Sequence, residues 1–298
     1  MIENEGQRRP GESVRLDDTI FPSVAALDEE GVLQPDVLLF LATGLGAHLP
    51  GALTSPRRFE LSELEGAPLA WREEVLHTGR LGRTNVWILE DAPGGLEFGE
   101  GGDAPWEAAW PIWLASAAGA MVLVHTSAGT ALATDGAPAP RSLAVLTDHV
   151  NLSGSTPLAG LGETRLGPLF PDQTRVHSAA LRALAKTAAR ERGIQLSEAI
   201  GACTVGPALS TPAELRWLAT TGAHVAVQRL ADPLVAAAHA SLATLALVGV
   251  TDRGEERLSM EELVRRADAV APALEDLVLA ITPELAALAE RLRDEEGL

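Results

Sequence analysis

The stretch Asp148–Asp172, DHVNLSGSTPLAGLGETRLGPLFPD, decides how the rest of the chain is interpreted. Its order follows neither the 3.6-residue period of an amphipathic helix nor the alternation of a half-buried strand. It lies between a short apolar run, Leu143–Leu146, and a segment with helical spacing, Ser178–Arg192. Its composition is therefore set by a requirement other than regular secondary structure.

The overall composition indicates a large apolar core and an acidic surface. The chain has 298 residues, 46% of them hydrophobic, and a formal net charge of -18 from 41 acidic and 23 Lys or Arg residues. Because nucleic acids and anionic membranes attract basic surfaces, this charge argues against both as partners. Cys203 is the only cysteine, which excludes an intrachain disulfide and fits a reducing compartment. The sequence shows neither a signal peptide nor an apolar run of about 18 residues, so we expect a cytoplasmic protein that does not span a membrane.

Apolar runs with the character of buried strands alternate with helical segments along the chain. These runs are short and nearly continuous in apolar residues, as expected for strands covered on both faces. The predicted strands are Val37–Leu41, Asn85–Leu89, Ala120–Thr126, Leu143–Leu146, Ala199–Val205, His224–Gln228 and Leu245–Val250. The alternation predicts the α/β class, with a central mixed β-sheet flanked by helices.

Helices are predicted from periodicity and from start signals. Trp106–Ala118 and Ser178–Arg192 have helical spacing. Thr211–Glu214 and Ser259–Glu262 have the capping-box pattern, so a helix is expected to begin at each.

The two ends of the chain differ in character. Residues 1–20 are polar and are predicted to be a flexible N-terminal segment, while residues 21–298 are predicted to form a single α/β domain. The C-terminal region is predicted to be helical, with breaks at Pro272 and Pro283.

A glycine-rich turn, Ala42–Gly46, follows the first predicted strand. The third glycine of a dinucleotide-binding fingerprint is missing, which argues against that class of site. Two interpretations remain: a plain tight turn, or a phosphate loop in which backbone N–H groups and the Thr43 hydroxyl face an anion. We favour the phosphate loop.

Four motifs in a shared order resemble the trimeric branch of the purine nucleoside phosphorylase family. They are Thr43–Gly46, His77–Leu81, Asp148–Asp172 and Gly206–Arg216. The resemblance implies a nucleoside phosphorylase-like fold, a homotrimer, and phosphorolysis of a purine nucleoside to free base and ribose 1-phosphate. It implies no cofactor, with inorganic phosphate as co-substrate. The seven histidines are scattered without metal-ligand spacing, so no metal site is expected.

Three phosphate-side residues follow from the resemblance. Thr43 matches a hydroxyl in the family's first glycine loop, and the Ser127 region matches a turn that offers a backbone N–H. His77 is a further candidate, with an ordinary loop histidine as the alternative. Such donors are needed because the phosphate anion must be held beneath C1′ of the sugar.

The Arg and His that bind phosphate in the family are replaced in this chain. They align with Gly95 and Glu97, which removes a fixed positive charge and adds a negative one beside the anion. Arg229 aligns with a later phosphate-binding Ser, and it either restores a cation or is a surface arginine. Each lost charge-assisted hydrogen bond costs about 1.5–3 kcal/mol, so weakened use of phosphate is expected.

The base site resembles the methylthioadenosine phosphorylase branch at two positions. Ser210 stands where the 6-oxopurine branch has a purine-reading Glu, and Asp252 stands where it has an Asn. A Glu accepts from N1–H of a 6-oxopurine, and adenine lacks that proton. A carboxyl group can accept from a 6-amino group and, when protonated, donate to N7. The pair favours a 6-aminopurine with Asp252 as the catalytic residue; a turn or helix-cap role for Asp252 is the alternative.

The family resemblance implies further residues on the base and ribose side of the site. Phe170 matches an aromatic residue that reaches the ribose site of the neighbouring subunit. Leu209, Gln228 and Met260 fall at pocket positions, and Met260 indicates an apolar 5′ region unless it is a core residue. His149 is interpreted as a structural residue that supports the loop after it.

Three functions remain open from the sequence. The first is a divergent purine nucleoside phosphorylase with a weakened phosphate site. The second is a non-catalytic paralogue that keeps the fold and binds a small molecule, as the replacements at Gly95 and Glu97 would allow. The third is a phosphate-independent nucleoside hydrolase in which Glu97 activates water.

Overall fold

A computed structural model of the protein describes residues 15–42, 44–90, 105–254 and 259–296. The strands are β1 Val37–Leu41, β2 Thr54–Glu60, β3 Val75–Leu81, β4 Thr84–Glu90, β5 Val122–Ala131, β6 Leu143–Asn151, β7 Leu196–Thr204, β8 Val225–Gln228 and β9 Ala243–Asp252. The α-helices are α1 Asp17–Glu29, α2 Pro105–Ala117, α3 Ala179–Arg192, α4 Pro212–Ala219, α5 Ala231–His239 and α6 Met260–Glu296. Among the described residues, no helix has both the length and the apolar character needed to cross a bilayer.

All nine described strands form one mixed sheet in the order β2-β3-β4-β1-β5-β8-β7-β6-β9. The strand β5 also pairs with β9, so β5, β8, β7, β6 and β9 close into a ring. On one side β5 pairs with β9 over residues 122–130, and on the other side it pairs first with β1 and then, at residues 129–131, with β8. This change of partner opens a gap between β1 and β8.

Helices cover the sheet on both faces, as alternate residues of β1 show. Leu38 and Phe40 belong to an apolar layer with α1, α2 and α5. Val37, Leu39 and Leu41 belong to the opposite layer with α3 and α6. Every residue of β1 is buried, which explains its continuous apolar sequence. The predicted single α/β domain with a mixed sheet flanked by helices is therefore confirmed.

The structure contains strands for all seven predicted runs and adds two that the sequence did not indicate. The strand β2 is polar and exposed except at Phe59, as expected for an edge strand. The strand β3 contains the His77–Leu81 motif, so His77 lies in a strand rather than in a loop. The helix α1 includes residues 17–20, which the sequence placed in the flexible segment, because Leu16 and Ile20 are buried.

The helix starts were predicted correctly at both capping boxes. Thr211 and Glu214 make the reciprocal bonds of a capping box at the start of α4. At the start of α6 the Ser259 hydroxyl accepts from the backbone N–H of Glu262 at 3.1 Å.

The predicted breaks at Pro272 and Pro283 are wrong, because α6 runs through both residues. Pro272 removes a partner from the carbonyl of Asp268, an exposed residue whose backbone water can satisfy. Near Pro283 the Thr84 side chain enters the helix. Its hydroxyl donates to the Thr282 carbonyl at 2.7 Å and accepts from the Ala286 N–H at 3.2 Å.

Replacing Thr84 by valine is expected to lower the free energy of unfolding by about 2 kcal/mol, because two buried backbone groups lose their partner. The melting temperature should fall by about 4–8 °C, measured by circular dichroism. The matched control is Thr282→Val. It removes a buried hydroxyl that bonds only within α6 to the Val278 carbonyl at 2.6 Å, so its cost should be about 1 kcal/mol or less. Equal losses in the two variants would contradict the bridging role of Thr84.

Candidate functional site

A cavity of about 380 Å³ opens where the carboxyl ends of β7, β8 and β9 meet the second half of β5. Its volume is in the range of small-molecule sites. The start of α6 and the segment before α4 complete its walls. Six of the predicted site residues line it: Ser127, Leu209, Ser210, Gln228, Arg229 and Asp252. The gap left where β5 changes partner thus brings together residues that are far apart in the sequence.

Asp252 lies at the end of β9 and is 4% exposed. Its Oδ2 accepts from the hydroxyls of Thr130 at 3.2 Å and Thr251 at 2.7 Å. Its Oδ1 accepts from the backbone N–H of Gly254 at 2.7 Å. The carboxyl group is therefore held in one orientation at the cavity wall. The last of these bonds also makes Asp252 a turn residue, so the catalytic and the structural interpretation are compatible.

Ser127 and His125 form a buried pair on β5 that faces the cavity. The Ser127 hydroxyl lies 3.3 Å from Nδ1 of His125. Burial lowers the pKa of His125 to about 3, so the ring is neutral at physiological pH and supplies no positive charge. Sequence reasoning missed His125. The signal would have been a polar ring inside the apolar run that begins at Val122.

Gln228 lines the cavity and also hydrogen-bonds the segment that precedes α4. Its amide donates to the Ala208 carbonyl at 2.8 Å. A Cβ at Gly206 would lie 2.5 Å from the Gln228 Oε1, so this segment approaches Gln228 closely. Gln228 thereby positions the stretch that carries Leu209 and Ser210 against the cavity.

Arg229 lines the cavity and is half-buried. Its backbone is left-handed, with φ of 57°, and its N–H donates to the Thr204 carbonyl at 2.9 Å. Burial raises the pKa of the neighbouring Asp232, and the charge of Arg229 partly opposes that rise. Arg229 thus lines the cavity and interacts with an acidic neighbour, and its role toward phosphate stays a prediction.

The remaining predicted residues lie elsewhere or outside the described residues. His77 is on β3, separated from β5 by β4 and β1 in the sheet, and it does not line the cavity. Its pKa is lowered by burial and by Arg58. Phe170 is 89% exposed. Thr43, Gly95 and Glu97, and the side chain of Met260, fall outside the described parts of the chain.

A second polar cluster lies outside the cavity, where β6 leads into the Asp148–Asp172 stretch. Nδ1 of His149 is 3.1 Å from Nε2 of His177. The ligand atoms of these two rings and of the Asp148 carboxylate all lie within 4.8 Å of one another. Burial lowers the pKa of His177 to about 4 and lowers that of His149. No metal-ligand spacing in the sequence indicates this cluster, because a long loop separates His149 from His177.

Comparison with known proteins matches the phosphorylase superfamily to residues 38–283. Purine nucleoside phosphorylase 1 of Geobacillus stearothermophilus is 26% identical over 266 residues, covering 87% of this chain and 95% of that protein. The purine nucleoside phosphorylase of Mycobacterium leprae is 30% identical over 230 residues, covering 76% of this chain and 79% of that protein. In fold, the chain matches a Schistosoma purine nucleoside phosphorylase solved with hypoxanthine. The TM-score is 0.80 at 20% identity, over 90% of this chain and 98% of that one. The chain therefore belongs to the phosphorylase superfamily and, within it, to the purine nucleoside phosphorylase family.

Proposed function

We propose that the protein catalyses phosphorolysis of a purine nucleoside, prefers a 6-aminopurine, and binds phosphate weakly. The observation that carries this proposal is the position of Ser210 and Asp252 in one cavity with Ser127 and Arg229. A phosphate oxygen forms the new bond to C1′ while the C1′–N9 bond breaks. The bonding pair leaves with the base, which takes up at N7 a proton from the protonated Asp252 carboxyl group, and that group regains its proton from solvent.

The base preference rests on Asp252. Its oxygens accept from Thr130, Thr251 and Gly254, which fixes the orientation of the carboxyl group and leaves an acceptor position for a 6-amino group. A 6-amino group donates to such an oxygen, whereas the O6 of a 6-oxopurine is repelled by it. Ser210, with its short side chain, has no carboxylate to pair with N1–H of a 6-oxopurine.

The weak phosphate site rests on the charges near β5. His125 is neutral because it is buried, and Arg229 interacts with Asp232. Phosphate binding normally uses charge-assisted hydrogen bonds from cations or several N–H donors. We therefore expect the phosphate KM to be high and the backbone near Ser127 to contribute much of the binding.

The site is proposed to be completed by a second copy of the chain in a homotrimer. Phe170 is 89% exposed and the neighbouring Leu169 is 46% exposed. An aromatic side chain this exposed, beside a second exposed apolar side chain, is costly to leave in water and fits a subunit contact. Contact with the neighbouring ribose site gives Phe170 the role that the family resemblance implies.

The test is release of free base from adenosine, methylthioadenosine, inosine and guanosine, each with and without phosphate. We expect adenine to be released at least about tenfold faster than hypoxanthine or guanine, since a mismatched polar contact in a closed site costs at least that factor. Release should require phosphate and should not saturate at low phosphate. Silence on all four substrates from a folded protein would support the non-catalytic alternative.

Nucleoside hydrolysis is the second candidate, favoured by the neutral His125 beside Ser127. A neutral imidazole can accept a proton from water, but it does little to hold a phosphate dianion. In the same assay, release that is equal with and without phosphate would select this function over phosphorolysis.

A further inference from the structure

A candidate metal site lies where the loop that carries Phe170 begins and ends. Asp148 and His149 are on β6, before the loop, and His177 immediately precedes α3, after it. The two histidines are distant in sequence and meet only because β6 and the start of α3 are adjacent. None of the three residues lines the cavity described above.

The separation of the two imidazoles suits a shared ion. Two ligand nitrogens at about 2.0–2.1 Å from a tetrahedral zinc ion are about 3.3 Å apart. The observed separation is 3.1 Å between Nδ1 of His149 and Nε2 of His177. The rings are inclined at 67° to each other with centroids 5.3 Å apart, so they do not stack. Small side-chain rotations would place both lone pairs on one ion, with the Asp148 carboxylate as third ligand.

The environment favours a cation over a simple hydrogen-bonded pair of rings. Asp148 is exposed, His149 is half-buried and His177 is buried, so the cluster is open to solvent at its carboxylate. The Asp148 carboxylate lies within 4.8 Å of the ring nitrogens, so it adds an anionic ligand to the two imidazoles.

Arg182, a neighbouring cation, interacts with groups other than the proposed ligand atoms. Arg182 donates from Nη1 to the His177 carbonyl at 2.6 Å. Its Nε lies 3.9 Å from the Glu198 carboxylate. Arg182 is thus directed toward the backbone and toward Glu198.

We propose that Asp148, His149 and His177 bind one divalent transition-metal ion, such as Zn²⁺, that joins the two ends of the loop 152–176. Two imidazoles and one carboxylate suit this class of ion, whereas Mg²⁺ and Ca²⁺ prefer oxygen ligands. The ion restricts both ends of the loop and thereby reduces the freedom of Phe170 within it.

The test uses the untagged full-length protein after treatment with a chelator. Titration with Co²⁺ should give visible d–d absorption that saturates near one ion per chain, and Zn²⁺ should abolish it. Because a ligand that binds only the folded state raises its stability, Zn²⁺ at about one hundred times its Kd should raise the melting temperature by roughly 5 °C. Mg²⁺ at the same concentration should have no effect.

Variants separate this site from other metal-binding side chains. Asp148→Asn and His149→Gln should each weaken Co²⁺ binding by at least about tenfold. The control is His48→Gln, because His48 is an exposed histidine that contacts Glu275 at 3.2 Å, and its removal should leave binding unchanged. The melting temperature of each metal-free variant verifies its fold. Failure of the wild-type protein to bind Co²⁺, or equal binding by His149→Gln, would overturn the proposal.

Discussion

Replacing Asp252 by alanine is expected to lower kcat/KM for the preferred nucleoside by about 100-fold to 1000-fold. Loss of a group that stabilises charge or a proton on the leaving base has an effect of this size. The residue is 4% exposed at the cavity wall, so water cannot readily take its place. The measurement is steady-state release of adenine at saturating phosphate.

The more informative variant is Asp252→Asn. The amide keeps an oxygen that can accept from the Gly254 N–H, so the turn at the end of β9 should persist. Its NH₂ group can also donate to O6 of a 6-oxopurine, which a carboxylate cannot do. We therefore expect the ratio of kcat/KM for inosine to that for adenosine to rise at least about tenfold.

The control for charge alone is Asp135→Asn, because Asp135 is an exposed carboxylate in the turn after β5 and does not line the cavity. It should leave both the rate and the base preference unchanged. A melting temperature for Asp252→Ala close to that of the wild-type protein would show that the lost activity is chemical. If Asp252→Asn lost activity on both bases equally, the base-reading role would be rejected and the turn role retained.

The buried strands were predictable from the sequence because a strand that is buried on both faces consists of consecutive apolar residues. The strand β1 is buried throughout, and its predicted bounds, Val37–Leu41, match the structure. The edge strand β2 has no apolar run that could indicate it, because Phe59 is its one buried residue. The continuity of α6 through Pro283 was also unpredictable, since it depends on Thr84 from a different strand.

The candidate site was predictable only where a local motif identified it. Ser210 and Asp252 follow recognisable segments, and the structure places both on one cavity. His125 and His177 belong to no motif, and their significance depends on neighbours that the fold supplies. His77 belongs to a recognisable motif, yet it lies on β3 and does not line this cavity, so its role toward phosphate stays a prediction. Local sequence order identifies segments, but only the closure of the sheet shows which of them meet.

The stability of the loop that follows β6 depends on Gly167. A Cβ at this position would lie 1.7 Å from the His239 carbonyl oxygen and 2.7 Å from its carbon. Because these are backbone atoms at the end of α5, no side-chain rotation can relieve the overlap. His239 is itself fixed, since its Nδ1 accepts from the Trp113 indole at 3.1 Å in the core. Gly167→Ala is therefore expected to lower the free energy of unfolding by at least about 3 kcal/mol.

This loss should lower the melting temperature by roughly 6–12 °C, measured by calorimetry or circular dichroism. The matched control is Gly51→Ala, because a Cβ at Gly51 has no atom within 4 Å, and its effect should stay within about 0.5 kcal/mol. If Gly167→Ala were as stable as the control, the close approach of the loop to α5 would be rejected. The expected result would explain why Gly167, one of the four glycines of the Asp148–Asp172 stretch, is a glycine. The chain passes directly over the end of α5 there, so the loop that presents Phe170 is fixed to the core by a contact that only glycine permits.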